Sequence, residues 1–151
     1  MTSVEAKTEV YEAPQRRVEA LGIDPRDVVS FPDGLPGFEA CRGFVVLENE
    51  STAPLQSLLA VDGPEATFLA LDPKLALPTY RYKLSEADRL RLHAAGDEPL
   101  LWLALVMIEA DGAIAVNLRA PIVINPARMV GFQLMPHDTL YPLRHLLAPG
   151  E

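Results

Sequence analysis

From Ala113 to Arg119 the side chains alternate without a break. Ile114, Val116 and Leu118 fall on one face, and Ala113, Ala115, Asn117 and Arg119 on the other. A period of two marks a strand, whose successive side chains point to opposite faces. The pattern therefore sets Asn117 and Arg119 side by side on the face opposite the apolar one. Pro121 lacks a ladder donor, which confines it to an edge strand, a strand start or a bulge. Ile122 to Ile124 resumes an apolar run, and Asn125-Pro126 closes it as a turn. Before this stretch lies Leu100 to Glu109, a long apolar segment. A central strand suits it, although Leu, Ala and Met also suit a buried helix. Asp111-Gly112 between the two segments predicts a hairpin with a primed turn.

The rest of the chain reads as short apolar runs cut by turn residues. Strands are expected at Arg16 to Ile23, Val28 to Phe31, Phe44 to Leu47, Leu55 to Val61, Ala66 to Leu71 and Arg128 to Met135. Tyr141 to Leu147 is a last strand or short helix. Asp24-Pro25, Asp62-Gly63-Pro64 and Pro136-His137-Asp138 are turns, and Asp72-Pro73 to Pro78 is an irregular connection. Pro32 to Phe38 is a loop that places Leu35 and Phe38 beneath it. One helix is expected, Ser85 to Ala95. Ser85 is its N-cap, Glu86 and Asp88 suit the positive end of its dipole, and Gly96 suits its C′ position. Ala87, Leu90 and Ala94 form its apolar stripe. Fourteen prolines are scattered along the chain, above the usual frequency of about 5%. Short strands with frequent turns predict a mainly β fold, a small antiparallel β-barrel or barrel-like sandwich with one short helix.

Length and composition set the frame. The 151 residues suffice for one domain with its own core. Residues 16–147 are expected to form it, after a disordered leader over 1–15 and before a frayed tail over 148–151. No apolar run reaches the ~18 residues needed to span a bilayer, and the N-terminus lacks the apolar core of a secretory signal. A single cysteine, Cys41, allows no internal disulfide and fits a reducing cytoplasm. The net charge is −8, with 13 Lys and Arg against 21 carboxylates. That balance disfavours direct contact with nucleic acid or an anionic membrane, and it favours a basic protein partner.

Catalytic signatures are missing from the pattern. The three histidines, His93, His137 and His145, stand at no metal-ligand spacing. Gly34 and Gly37 are not spaced as a phosphate loop, and no Lys-Ser or Lys-Thr pair follows them. Cys41 has no base beside it in sequence, and no serine sits in a Gly-x-Ser-x-Gly elbow. Residues alone leave three classes open: a protein-binding regulator, a small β-barrel hydrolase or lyase, and a structural subunit of an assembly.

The stretch Asn117-Leu118-Arg119-Ala120-Pro121-Ile122-Val123-Ile124-Asn125 resembles a signature of the flagellar assembly factor FliW family. Three further stretches match that family in order and separation. They are Phe31-Pro32-Asp33-Gly34-Leu35-Pro36-Gly37-Phe38-Glu39, Leu55-Gln56-Ser57, and Leu71-Asp72-Pro73 followed by Tyr80 to Leu84. The resemblance covers roughly Arg17 to Leu147. A lone acidic domain without an obvious exposed apolar helix is expected to be monomeric when free, and the resemblance implies a cytoplasmic, non-enzymatic switch without a cofactor. Such a protein binds flagellin, and it binds the translational regulator CsrA, thereby relieving repression of flagellin mRNA. The contact surface expected from it comprises Asn117, Arg119, Pro121 and Asn125, with the neighbouring loop Gly34, Leu35, Pro36, Gly37, Phe38 and Glu39, and Gln56. For Asn117 and Asn125, backbone capping competes with partner contact. For Arg119 the competing role is an internal pair that fixes the strand.

Overall fold

The computed structural model describes residues 17–136 and 139–147. The expected leader, the expected tail and His137-Asp138 lie outside the described residues. Among the described residues, nine strands form one sheet: β1 (Val29–Ser30), β2 (Gly43–Glu48), β3 (Gln56–Ala60), β4 (Thr67–Leu71), β5 (Leu101–Ile108), β6 (Ile114–Val116), β7 (Ile122–Asn125), β8 (Val130–Gln133) and β9 (His145–Leu146). Two short helices, α1 (Pro73–Ala76) and α2 (Glu86–Arg91), lie between β4 and β5.

The strand order β4-β3-β2-β1-β8-β7-β5 closes on itself, because β5 also pairs with β4 through Leu69↔Val106, Ala70↔Leu105 and Leu71↔Ala104. The result is a closed seven-stranded barrel, which removes the exposed edges of an open sheet. Its pairings are antiparallel except β1–β8, which is parallel at Ser30↔Val130. Strand β5 is long enough to serve two neighbours on one side. Leu101 to Leu103 pair with β7, and Val106 to Ile108 pair with β6, which carries β9 beyond the barrel.

Burial explains the apolar runs. Phe31, Leu35, Phe44, Leu58, Leu103, Ile122 and Ile124 fill the barrel interior. Val123 points the other way, into an outer cluster with Leu84, Leu92, Phe132 and Leu134. Ala104 likewise joins Leu71, Tyr80, Val116 and Leu118 outside the barrel. Strand β7 and the middle of β5 are therefore covered on both faces, which suits their continuous apolar runs, while Met107 and Ile108 at the end of β5 are exposed. The segment 77–94 supplies that outer cover.

Several local expectations change. Residues 17–20 are a helical turn, not a strand. Gly22, at φ +67°, ends it, with Ile23 N–H donating to Val18 O. Arg17 ties the turn to the barrel by donating to the carbonyls of Ala60, Asp62 and Gly63. Asp72-Pro73 starts helix α1, with the Asp72 carboxylate accepting from Lys74 N–H. Helix α2 is shorter than expected. His93, at φ +52°, takes the left-handed position instead of Gly96, and Ala94 N–H donates to Arg89 O. Its apolar stripe is not the buried face, for Leu90 is 71% exposed while Leu92 is fully buried. The hairpin after β5 is not primed. Gly112 N–H donates to Glu109 O, and Gly112 alone has positive φ, the arrangement of a type I turn followed by a glycine bulge.

The expected cap on α2 is present, with Ser85 Oγ accepting from Asp88 N–H at 3.0 Å. Ser85→Ala should lower stability by about 1 kcal/mol. A urea melt in which this variant matches the parent would remove the cap from the energetics.

Candidate functional site

A groove of about 1010 Å³ lies between the loop after β1, the segment 81–91, residues 132–136 and residues 139–141. Asp33, Gly34, Pro36 and Glu39 form one wall. Arg81, Lys83 and Arg91 supply cations, and Phe132, Met135 and Leu140 supply apolar surface. Met135 is 54% exposed and Leu140 wholly so. A second groove, about 840 Å³, lies behind Arg81, Tyr82 and Lys83 and reaches Trp102 and Glu98.

The loop from Pro32 to Glu39 is held by its own backbone. Gly34 N–H donates to Phe31 O, Phe38 N–H to Leu35 O and Cys41 N–H to Phe38 O. Leu35 is buried as expected. Phe38 is partly exposed and packs edge-on against Phe68, with ring centroids 5.0 Å apart. The Glu39 carboxylate accepts from Gly37 N–H. Across the groove, Arg91 bonds Asp33 at 2.9 Å, pairs with Asp88 and lies 4.2 Å above the Phe132 ring. One arginine thus ties α2, the loop and β8 together.

The Asn117–Asn125 stretch supports this groove from behind. The regular strand β6 ends at Val116, so Asn117 and Arg119 do not project from a strand as the alternation predicts. Asn117 Oδ1 instead accepts from Arg119 N–H and Ala120 N–H, which closes a turn. Arg119 is exposed, and its Nε donates to Tyr141 O at 3.0 Å. The Tyr141 hydroxyl in turn accepts from Arg81 N–H at 2.8 Å, and its ring packs on Tyr80. Gln133 Nε2 donates to Ala120 O. Pro121 is buried at the start of β7, the placement its missing donor allows, and its carbonyl accepts from Leu134 N–H. Asn125 is fully buried. Its Nδ2 donates to Leu92 O at 2.8 Å, and its Oδ1 accepts from Ala127 N–H.

Of the expected contact residues, Gly34, Pro36 and Glu39 line the groove. Arg119 reaches it through Tyr141. Asn117, Pro121 and Asn125 do not line it: the two asparagines bond to backbone, and Pro121 is buried. Gln56 stands half-buried on β3, opposite Glu48 and Ala70, and does not line the groove. Sequence reasoning missed Arg81 and Lys83, although the alternation Tyr80-Arg81-Tyr82-Lys83-Leu84 carried their signal. Cys41 is fully buried and its Sγ donates to Pro64 O; burial pushes its thiol above the ordinary range. That is the behaviour of a small core residue rather than a nucleophile.

Arg119→Ala should cost about 1 kcal/mol, the usual net worth of one hydrogen bond. Its more specific effect is on Tyr141. Faster hydrogen exchange at the Arg81 amide is expected, and unchanged protection there would break the proposed link.

Comparison with known proteins gives a consistent result. Residues 12–147 match the family described as FliW protein. The flagellar assembly factor FliW of Carboxydothermus hydrogenoformans is 32% identical over 126 residues, covering 83% of this chain and 81% of that protein. The protein of the same name from a Geobacillus species is 34% identical over 132 residues, covering 87% and 91%. A crystal structure titled as the flagellar assembly factor FliW superposes with a TM-score of 0.77 at 32% identity, covering 84% of this chain and 89% of that one.

Proposed function

Because the chain belongs to the FliW family of flagellar assembly factors, we propose that it works as a non-enzymatic cytoplasmic switch between two protein partners, flagellin and CsrA. Flagellin occupies it while subunits are abundant. Once flagellin is exported, the freed protein captures CsrA and lifts repression of flagellin mRNA. The coupling is mass action, since each complex withdraws the protein from the other.

Family membership is the observation that carries this reading. Three features of the molecule support it. The net charge of −8 favours a basic partner such as an RNA-binding regulator. Glu48 and Glu50 stand exposed at the β2–β3 turn, where such a partner could approach. The groove lining combines exposed apolar side chains with paired charges, which suits a protein ligand. Two of its hydroxyls cap backbone: Ser85 Oγ accepts from Asp88 N–H, and Thr139 Oγ1 accepts from Tyr141 N–H. Among the described residues, no helix is long and apolar enough to cross a membrane.

The test is calorimetric titration with the organism's own flagellin and, separately, its own CsrA, each at low and moderate salt. Heat with both partners is expected, with the CsrA signal weakening as salt rises. Absence of heat with either, at concentrations up to about 100 μM where even weak complexes form, would return the protein to the enzyme and structural-subunit readings.

A further inference from the structure

Residues 80–84 have the burial of a strand but belong to none. Tyr80 and Leu84 are buried, Tyr82 is half-buried, and Arg81 and Lys83 are exposed. That period of two is the period of extended chain. The segment forms no ladder with any strand of the sheet. Among the described residues, Lys83 and Leu84 make no hydrogen bond through backbone N–H or C=O. Arg81 N–H is used, by the Tyr141 hydroxyl. In extended chain Lys83 presents its N–H and C=O to the same side as Arg81, whose N–H meets Tyr141 on the wall of the 1010 Å³ groove.

The charges on this ridge are also unspent. Arg91 pairs with Asp33 and Asp88, and the Glu39 carboxylate, which accepts from Gly37 N–H, keeps its charge on the facing wall. Arg81 and Lys83 have no carboxylate partner among the described residues. Two unpaired cations at i and i+2 therefore stand exposed together on a chain of net charge −8. Repulsion from the distant carboxylates is screened beyond about 8 Å at physiological salt.

We propose that residues 79–84 are a docking strand for an acidic, extended segment of a protein partner. The incoming segment adds one strand alongside Lys83, using its N–H and C=O. Carboxylates at alternate positions meet Arg81 and Lys83, and the intervening apolar side chains turn toward Phe132 and Met135 on the groove floor. An acidic segment differs in charge from the basic partner proposed above, so this site stands apart from the one that would hold CsrA.

The probe is a short synthetic peptide of alternating Glu and Val, blocked at both ends, followed by amide NMR on the full chain. Saturable shifts centred on Arg81, Lys83 and Leu84 are expected, with affinity falling as salt rises. The Arg81→Glu/Lys83→Glu double variant should bind roughly tenfold more weakly, with an unchanged melting temperature. A Lys and Val peptide should show the reverse preference, binding that variant and not the parent. Equal binding of both peptides to the parent, or shifts centred away from 80–84, would overturn the proposal. Self-association abolished by the double variant would assign the groove to a second copy instead. Tighter binding of a single-stranded oligonucleotide than of the acidic peptide would assign it to nucleic acid. Failure of the flagellin and CsrA titrations leaves these outcomes unaffected, so the two readings fail separately.

Discussion

Gly34→Ala should lower the stability of the whole barrel by about 3 kcal/mol and disable the groove with it. Gly34 sits at φ +63°, where an L side chain costs about 1 kcal/mol on its own. The larger part is steric. A Cβ there would lie 2.7 Å from Glu39 Cα and 2.8 Å from Phe38 O. Both are backbone atoms of the same loop, so neither can step aside as a side-chain tip could. Relief requires the 38–39 backbone to move, which breaks the Phe38 N–H bond to Leu35 O and lifts Phe38 from Phe68. Gly37 supplies an internal control. It has φ +82° with nothing within 4 Å of an added Cβ, so Gly37→Ala should show the conformational cost alone. Thermal melts should place Gly34→Ala roughly 10 °C below the parent, with Gly37→Ala between them. Equal melts for the two variants would show that the contact with residues 38–39 contributes nothing.

Asn125→Leu should cost about 3 kcal/mol, and through the fold rather than through a lost partner contact. The side chain is fully buried and bridges two elements. It donates to the carbonyl at the C-cap of α2, Leu92 O, and accepts from Ala127 N–H beyond β7. Leucine matches the volume but leaves the buried Leu92 carbonyl unpaired, an orphan that costs about 1–3 kcal/mol, and loosens the turn at exposed Ala127. Hydrogen exchange over 85–94 should accelerate beyond the global effect, because α2 loses its tether to the barrel. A variant with parental stability but lost partner affinity would reverse this assignment and make Asn125 a contact residue.

These two positions show what could be read from the chain and what could not. Strand β5 was legible only as the preferred of two readings, because Leu, Ala and Met suit a buried helix as well, and Asp111-Gly112 marked the hairpin but not its turn type. Closure of the barrel was legible only as a class. Which strands meet depends on β5 pairing with both β4 and β7, and no local pattern encodes that. The turn at Asn117 defeated the alternation rule. Its side chain satisfies two backbone amides, so the periodic pattern continues one element longer than the strand. Arg17 to Leu21 misled in another way, since Gly22 as a helix stop outweighs the β-like Val18. The groove was the least legible part. Asp33, Arg81, Arg91 and Met135 come together only through the tertiary fold. The Gly34 to Glu39 loop was found because its prolines and glycines announce an irregular, closely packed backbone.

The switch itself is tested most directly by competition in one cell. A complex of this protein with fluorescently labelled CsrA is titrated with flagellin while anisotropy is followed. The expected result is release of CsrA to its free anisotropy, with a midpoint that moves in proportion to the concentration of complex. An anisotropy that stays high or rises would mean that both partners bind at once, and partner exchange would then not be how this protein acts.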